Sequence, residues 1–121
     1  MAKILLVEDN EMNRDMLARR LMRRDHEITL APDGQQALDI LDSQQFDLVL
    51  MDLSLPVLDG WEATRRIRKN PDLADLPIIA LTAHALESDR QKALEAGCNA
   101  FETKPVKIKS LLETMSRWLD T

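Results

Sequence analysis

The stretch Phe46–Gly60, FDLVLMDLSLPVLDG, decides the fold. Leu48, Val49, Leu50 and Met51 are apolar at consecutive positions, a pattern that suits a strand covered by helices on both faces of its sheet. Asp52 follows at once. A buried, unpaired carboxylate costs several kcal/mol, so this acid must be exposed, paired or used. Asp59-Gly60 closes the stretch and reads as a turn before a helix.

The same grammar recurs on both sides. Ile4–Val7 (ILLV) and Ile78–Leu81 (IIAL) are apolar without alternation. Strands are expected over Lys3–Glu8, Glu27–Ala31, Leu48–Asp52, Pro77–Leu81 and Ala100–Thr103. Helices are expected near Met12–Arg24, Gly34–Ser43, Gly60–Lys69, Ser88–Ala96 and Lys107–Leu119. The last is the plainest, with Ile108, Leu111, Leu112, Met115 and Leu119 on one stripe. Trp61 and Trp118 are expected as packing anchors of the third and fifth helices. Five βα units with doubly covered strands predict an α/β fold, an open, doubly wound parallel sheet.

Composition narrows the class. The 121 residues fit one domain, with 45% apolar and 31% charged residues in a globular balance. No run is long enough to span a membrane, and ILLV is too short for a secretory signal core and is followed by acids, so a cytoplasmic chain is expected. The single cysteine, Cys98, excludes an internal disulfide and reads as a small buried residue. A net charge of −5 argues against nonspecific nucleic-acid binding. Arg14, Arg19, Arg20, Arg23 and Arg24 nevertheless cluster near the N-terminus.

In open α/β sheets, ligands bind beyond the carboxyl ends of the strands. Glu8 and Asp9 stand after the first strand, Asp52 ends the third, Thr82 follows the fourth, and Lys104 follows the fifth. Two carboxylates about 4 Å apart repel by roughly 4 kcal/mol at an effective dielectric near 20, so three acids in one crevice require a cation. The donors are hard oxygens with no histidine or cysteine nearby in sequence, which favours Mg²⁺ and leaves room for phosphate oxygens. Asp52 is then a candidate nucleophile for an aspartyl phosphate, with Glu8 and Asp9 on the metal, Lys104 on a phosphate oxygen and Thr82 as hydrogen-bond donor. Taken singly, Asp52 reads better as a strand cap or an ion-pair partner of Lys104, but for five residues at four strand ends together that is the weaker reading.

ILLVEDN, LVLMDLSLPVLDG, PIIALTAHA and AGCNAFETKP, in this order and spacing, closely resemble the receiver domain of bacterial two-component response regulators, the CheY-like family. The resemblance covers essentially the whole chain. It implies a flavodoxin-like (βα)5 sheet of order 2-1-3-4-5, with Asp52 as phosphoacceptor. It further implies Asp9 and Asp52 as direct Mg²⁺ ligands, Glu8 as a ligand through water, and the main-chain carbonyl of Ser54 completing the set. A sensor histidine kinase or histidine phosphotransfer protein would supply the phosphoryl group. Thr82 and Phe101 would act as the switch pair, and the fourth helix, fifth strand and fifth helix would form the output face toward a downstream protein target. The resemblance also implies a cis peptide at Lys104-Pro105, places Ser54 and His84 at positions that tune phosphoryl lifetime, and suggests a monomer or weak phosphorylation-dependent dimer.

On a first helix, Leu17 and Leu21 face one way while Met12, Met16, Arg19, Arg20 and Arg23 share the opposite side. Methionines among arginines suit an adaptable docking surface, and the resemblance implies that the phosphodonor protein docks on this helix. The expected domain is a receiver over residues 1–121; MAKILLV reads as a natural N-terminus and Thr121 ends just past the last helix, which favours a complete protein over the alternative of a piece excised from a longer one. Two other readings remain. A small Mg²⁺-dependent aspartyl-phosphate phosphatase would want a second acid close after the nucleophile, where Ser54 stands. A flavodoxin-like cofactor binder would want a phosphate-cradling loop where EDNEMN stands.

Overall fold

The computed structural model describes residues 2–83 and 87–119, and His84 lies outside them. Five strands, β1 (Lys3–Val7), β2 (Glu27–Ala31), β3 (Leu48–Asp52), β4 (Ile78–Thr82) and β5 (Ala100–Thr103), alternate with five helices. These are α1 (Glu11–Met22), α2 (Gly34–Ser43), α3 (Gly60–Lys69), α4 (Glu87–Ala96) and α5 (Ile108–Trp118). All pairings are parallel, in the order β2-β1-β3-β4-β5. The order reverses between β1 and β3, so the crevice above their carboxyl ends is the natural ligand site.

Every side chain of β3 and β4 is buried, because a parallel sheet with two helical layers leaves central strands no wet face. Alternation along each strand divides the core in two. Leu5, Val7, Val49, Met51, Ile78 and Ala80 point into one cluster with Ala37, Leu41, Ala63, Ile67 and Ala93 from α2, α3 and α4. Ile4, Leu6, Leu48, Leu50, Ile79 and Leu81 face the other, against Leu17 and Leu21 of α1 and Leu111 and Met115 of α5. Cys98 is buried beside Thr64, 3.8 Å away.

Several ends differ from the sequence expectation, each for a local reason. β1 stops at Val7; the Glu8 amide still donates to Ala31, and its side chain starts the acidic loop. α1 stops at Met22 with Arg23 as its C-cap, because the chain turns into the left-handed region at Asp25 (φ 67°). Pro77 has no N–H, so it precedes β4 and offers only its carbonyl, to the Val49 amide; Thr82 enters the strand instead. A short 3₁₀ turn, Pro71–Leu73, went unforeseen between α3 and β4. Trp61 packs on the core and lies under the Lys92 ammonium, 4.1 Å from its ring centre. Trp118 is not an anchor: it is the last residue of α5 and is 41% exposed, while the core on that face takes Leu119 instead.

Candidate functional site

Strand ends bring the pocket together. The Asp52 backbone is locked in β3 opposite Leu81, which places its carboxylate at the carboxyl edge, 2% exposed. The Asp52 Oδ1 accepts the Ser54 amide at 3.0 Å, and its Oδ2 accepts the Lys104 ammonium at 2.8 Å. Lys104 donates equally to Glu8 Oε1, also at 2.8 Å, so one cation lies between two buried carboxylates. Carboxylate oxygens of Glu8, Asp9 and Asp52 all lie within 4.8 Å of one another, with Asp9 on the solvent side.

Charge is not balanced there. One ammonium faces three acids, and burial, with Asp52 close by, pushes the Glu8 carboxyl up to about 7 despite Lys104. Burial pulls the Lys104 amine down, but its hydrogen bonds to Asp52 and Glu8 outweigh that and hold it above its ordinary value. An all-oxygen set of this size, with one acid open to water, fits Mg²⁺ and offers nothing to a soft metal.

Neighbouring turns hold the acids still. Asn10 caps α1 by accepting the Asn13 amide (2.9 Å), and its own amide reaches Glu8 Oε2 at 3.4 Å. Arg14 donates to the Glu8 carbonyl at 3.2 Å. On the other side Asp59 caps α3 through the Glu62 amide (2.9 Å). Gly60 opens that helix where any Cβ would sit 2.3 Å from the Asp52 carbonyl oxygen. The Asp-Gly pair is thus more than a turn, since only glycine lets α3 start against the backbone of Asp52.

The remaining expected residues are placed as follows. Thr82 is buried, its carbonyl accepts the Lys104 amide at 2.6 Å, and it pairs with Thr103 across β4 and β5. Ser54 is exposed at the start of the loop. Phe101 is half-buried against the α3–α4 side of the core. The Lys104-Pro105 bond is cis. Met12 and Met16 are 80% and 47% exposed, and with Arg19, Arg20, Arg23 and Asp15 they line a polar hollow of about 470 Å³ on α1. Met16 and Arg20 also border a second hollow, about 360 Å³, whose far wall is Lys104, Pro105 and Val106. Sequence reasoning missed this second hollow, because its walls come from segments some 90 residues apart that only the β1-β3-β4-β5 order brings together.

The strand ends thus gather an acid pair, a buried aspartate, a threonine and a lysine at one edge of a parallel sheet. Residues 4–116 match the response regulator receiver domain, and the chain belongs to that family. It is 40% identical to hybrid signal transduction histidine kinase I of Dictyostelium discoideum, over 94% of this chain but only 7% of that protein. It is 32% identical to the polar-differentiation response regulator DivK of Brucella anthropi, over 96% of this chain and 94% of DivK. Among solved structures, the receiver domain of the Pseudomonas aeruginosa sensor histidine kinase PA1611, with magnesium coordinated in its active-site cleft, superposes with a TM-score of 0.90 at 44% identity, covering 97% of this chain and 96% of that one. A Saccharomyces cerevisiae co-crystal of the histidine phosphotransfer protein Ypd1 and the receiver domain of its downstream response regulator Ssk1 matches with a TM-score of 0.90 at 36% identity, covering 96% and 87%. The chain is therefore a receiver domain of two-component or phosphorelay signalling. No helix among the described residues is long and apolar enough to cross a membrane.

Proposed function

We propose that Asp52 is the phosphoacceptor of this receiver, that Glu8, Asp9, Asp52 and the Ser54 carbonyl hold Mg²⁺, and that the domain signals through protein contacts without turning over an external substrate. One observation carries the reading: Lys104 bridges Glu8 and Asp52 at 2.8 Å each while Asp9 brings a third carboxylate within 4.8 Å. Bound Mg²⁺ would supply positive charge against the phosphoryl oxygens.

The chain's own groups do the rest. An Asp52 carboxylate oxygen forms the bond to phosphorus as the bond to the donor histidine nitrogen breaks, and the imidazole keeps the electron pair. Lys104 already stands 2.8 Å from Asp52, within reach of a phosphoryl oxygen that replaces its carboxylate contact. The Thr82 hydroxyl donates to another. The product adds roughly 1.5 to 2 negative charges and three acceptor oxygens at one strand end, a local change that draws Thr82 toward Asp52. Phe101, on the strand beside Thr82, follows and alters the α4, β5 and α5 surface read by a downstream protein.

The donor is a sensor histidine kinase or histidine phosphotransfer protein that docks on Met12, Met16, Arg19, Arg20 and Arg23. The exposure of both methionines and the hollow that these side chains line support this assignment.

Incubation with Mg²⁺ and acetyl phosphate, followed by intact-mass measurement, tests the phosphoacceptor. One phosphate-sized gain is expected in the wild type and none in Asp52→Asn. A gain that persists in Asp52→Asn, or no gain in either protein, overturns the assignment.

A further inference from the structure

Three of the six methionines, Met12, Met16 and Met22, stand on the exposed side of the single helix α1, at 80%, 47% and 50% exposure. Two others, Met51 and Met115, are 0% and 1% exposed in the core. The exposed sulfurs differ from one another in setting. Met12 and Met16 are one helical turn apart and line the arginine hollow; Met22 ends the helix and does not line it. Met16 also borders the apolar hollow beside Lys104 and Pro105, so it joins the two halves of the surface.

We propose that Met12 and Met16 form an oxidisable pair through which peroxide weakens docking of the phosphodonor protein; this rests on the docking assignment above. The chemistry is a two-electron oxygen transfer. A thioether sulfur attacks one peroxide oxygen, the O–O bond breaks, the sulfur becomes a sulfoxide and the peroxide leaves as water. Exposure sets where this happens, since the peroxide must reach the sulfur.

Two local effects follow. The apolar, flexible side chain becomes polar, which removes the adaptable contact that methionine offers a partner. The sulfoxide oxygen is also a hydrogen-bond acceptor, and on a helix Arg19 and Arg20 stand three and four residues beyond Met16. A guanidinium drawn to that oxygen is withdrawn from an incoming acidic partner. Met16 shares its apolar hollow with Glu8 and Lys104, but no hydrogen bond among the described residues joins it to either or to Asp52, so loading from a small donor should be retained. Reductive repair by a methionine sulfoxide reductase restores the surface.

The experiment uses the full chain, hydrogen peroxide as oxidant, and a phosphorylated histidine phosphotransfer protein that loads the reduced wild type. Peptide mass mapping is expected to show oxygen added at Met12, Met16 and Met22 before Met51 or Met115. The rate from the protein donor should then fall roughly fivefold or more, the scale of losing an interface contact that matters. The acetyl phosphate rate should not change, and reductase treatment should restore transfer. Met12→Leu/Met16→Leu should keep its rate after peroxide, whereas Met22→Leu should remain sensitive. If oxidation leaves the donor rate unchanged while Arg19→Glu/Arg23→Glu slows it, the oxidation proposal is wrong and the docking face stands. If neither change slows transfer, the docking face itself is wrong. Equal oxidation of exposed and buried methionines, or loss of transfer in the peroxide-treated double leucine variant, also overturns the proposal.

Discussion

At the scale of single residues, Glu8 shows most clearly how the charges of the pocket compete. It is buried, it shares one ammonium with Asp52, and its carboxyl is pushed up to about 7 from an ordinary 4.5. A raised carboxyl means that the folded protein holds a proton which the unfolded chain has released. Between about 4.5 and 7 the folded state therefore binds more protons, and stability falls as pH rises through that window. The raised Lys104 amine adds stability that is lost only above its ordinary 10.5, outside the window. In chelator-treated protein, the stability lost between pH 5 and pH 8 should be larger for the wild type than for Glu8→Gln, measured by urea unfolding. Mg²⁺ should stabilise the wild type more at pH 8 than at pH 5, because a ligand carboxylate must be ionised to bind. Equal pH dependence in wild type and Glu8→Gln would show that Glu8 carries no such strain. Sequence could place Glu8 near the pocket, since acids after a strand are visible in the letters. It could not show that the single amine reaches both carboxylates, which depends on how β5 stands relative to β1 and β3.

At the scale of elements, the fold is fastened at the end of the sheet far from the site. Arg68, in the last turn of α3, donates through Nε to the Gly97 carbonyl (2.9 Å) and through Nη1 to the Leu73 carbonyl (3.0 Å). Its Nη2 reaches Asn99 Oδ1 at 2.7 Å, and the same oxygen accepts the Ile78 amide that starts β4 (2.8 Å). Gly97 takes φ 116°, and a Cβ there would meet the Arg68 side chain at 2.6 Å. One side chain thus joins α3, the 3₁₀ turn and the α4–β5 connection, leading into β4. Arg68→Met keeps much of the aliphatic stem and strands these acceptors, so it should cost about 2 to 3 kcal/mol in urea unfolding. Acetyl phosphate loading of the folded variant should be retained, because every one of these contacts lies at the end opposite Asp52. A loss within 0.5 kcal/mol, the scale of an ordinary surface change, would refute the role. The strands and helices were legible beforehand because burial on both faces leaves a plain apolar signature and α5 a plain stripe. The Arg68 latch was not, since one arginine in a charged helix looks like any solvated one. Trp118 misled for a related reason: aromatic size suggests burial, but position on the helix decides it.

At the scale of the whole molecule, the acidic chain carries its exposed cations unevenly, and α1 puts Arg19, Arg20 and Arg23 around one hollow. A net charge of −5 repels acidic partners at long range, so on the proposed docking reading a local arginine field would act as an address for one face. Rim charges of this kind act mainly on the rate of encounter, and salt screens them over a Debye length of about 8 Å at physiological ionic strength. Arg19→Glu/Arg23→Glu should therefore slow phosphotransfer from a protein donor by roughly tenfold or more at low salt, within the range that electrostatic steering spans. The difference from wild type should shrink as salt rises. Acetyl phosphate is small and needs no docking, so its rate should be the same in both proteins. Stopped-flow or quenched transfer measured across ionic strength separates the outcomes. A rate change that does not depend on salt would point to damage in α1, and an equal fall with acetyl phosphate would place the effect in the pocket. Unchanged rates with both donors would mean that the arginines serve only to solvate the helix.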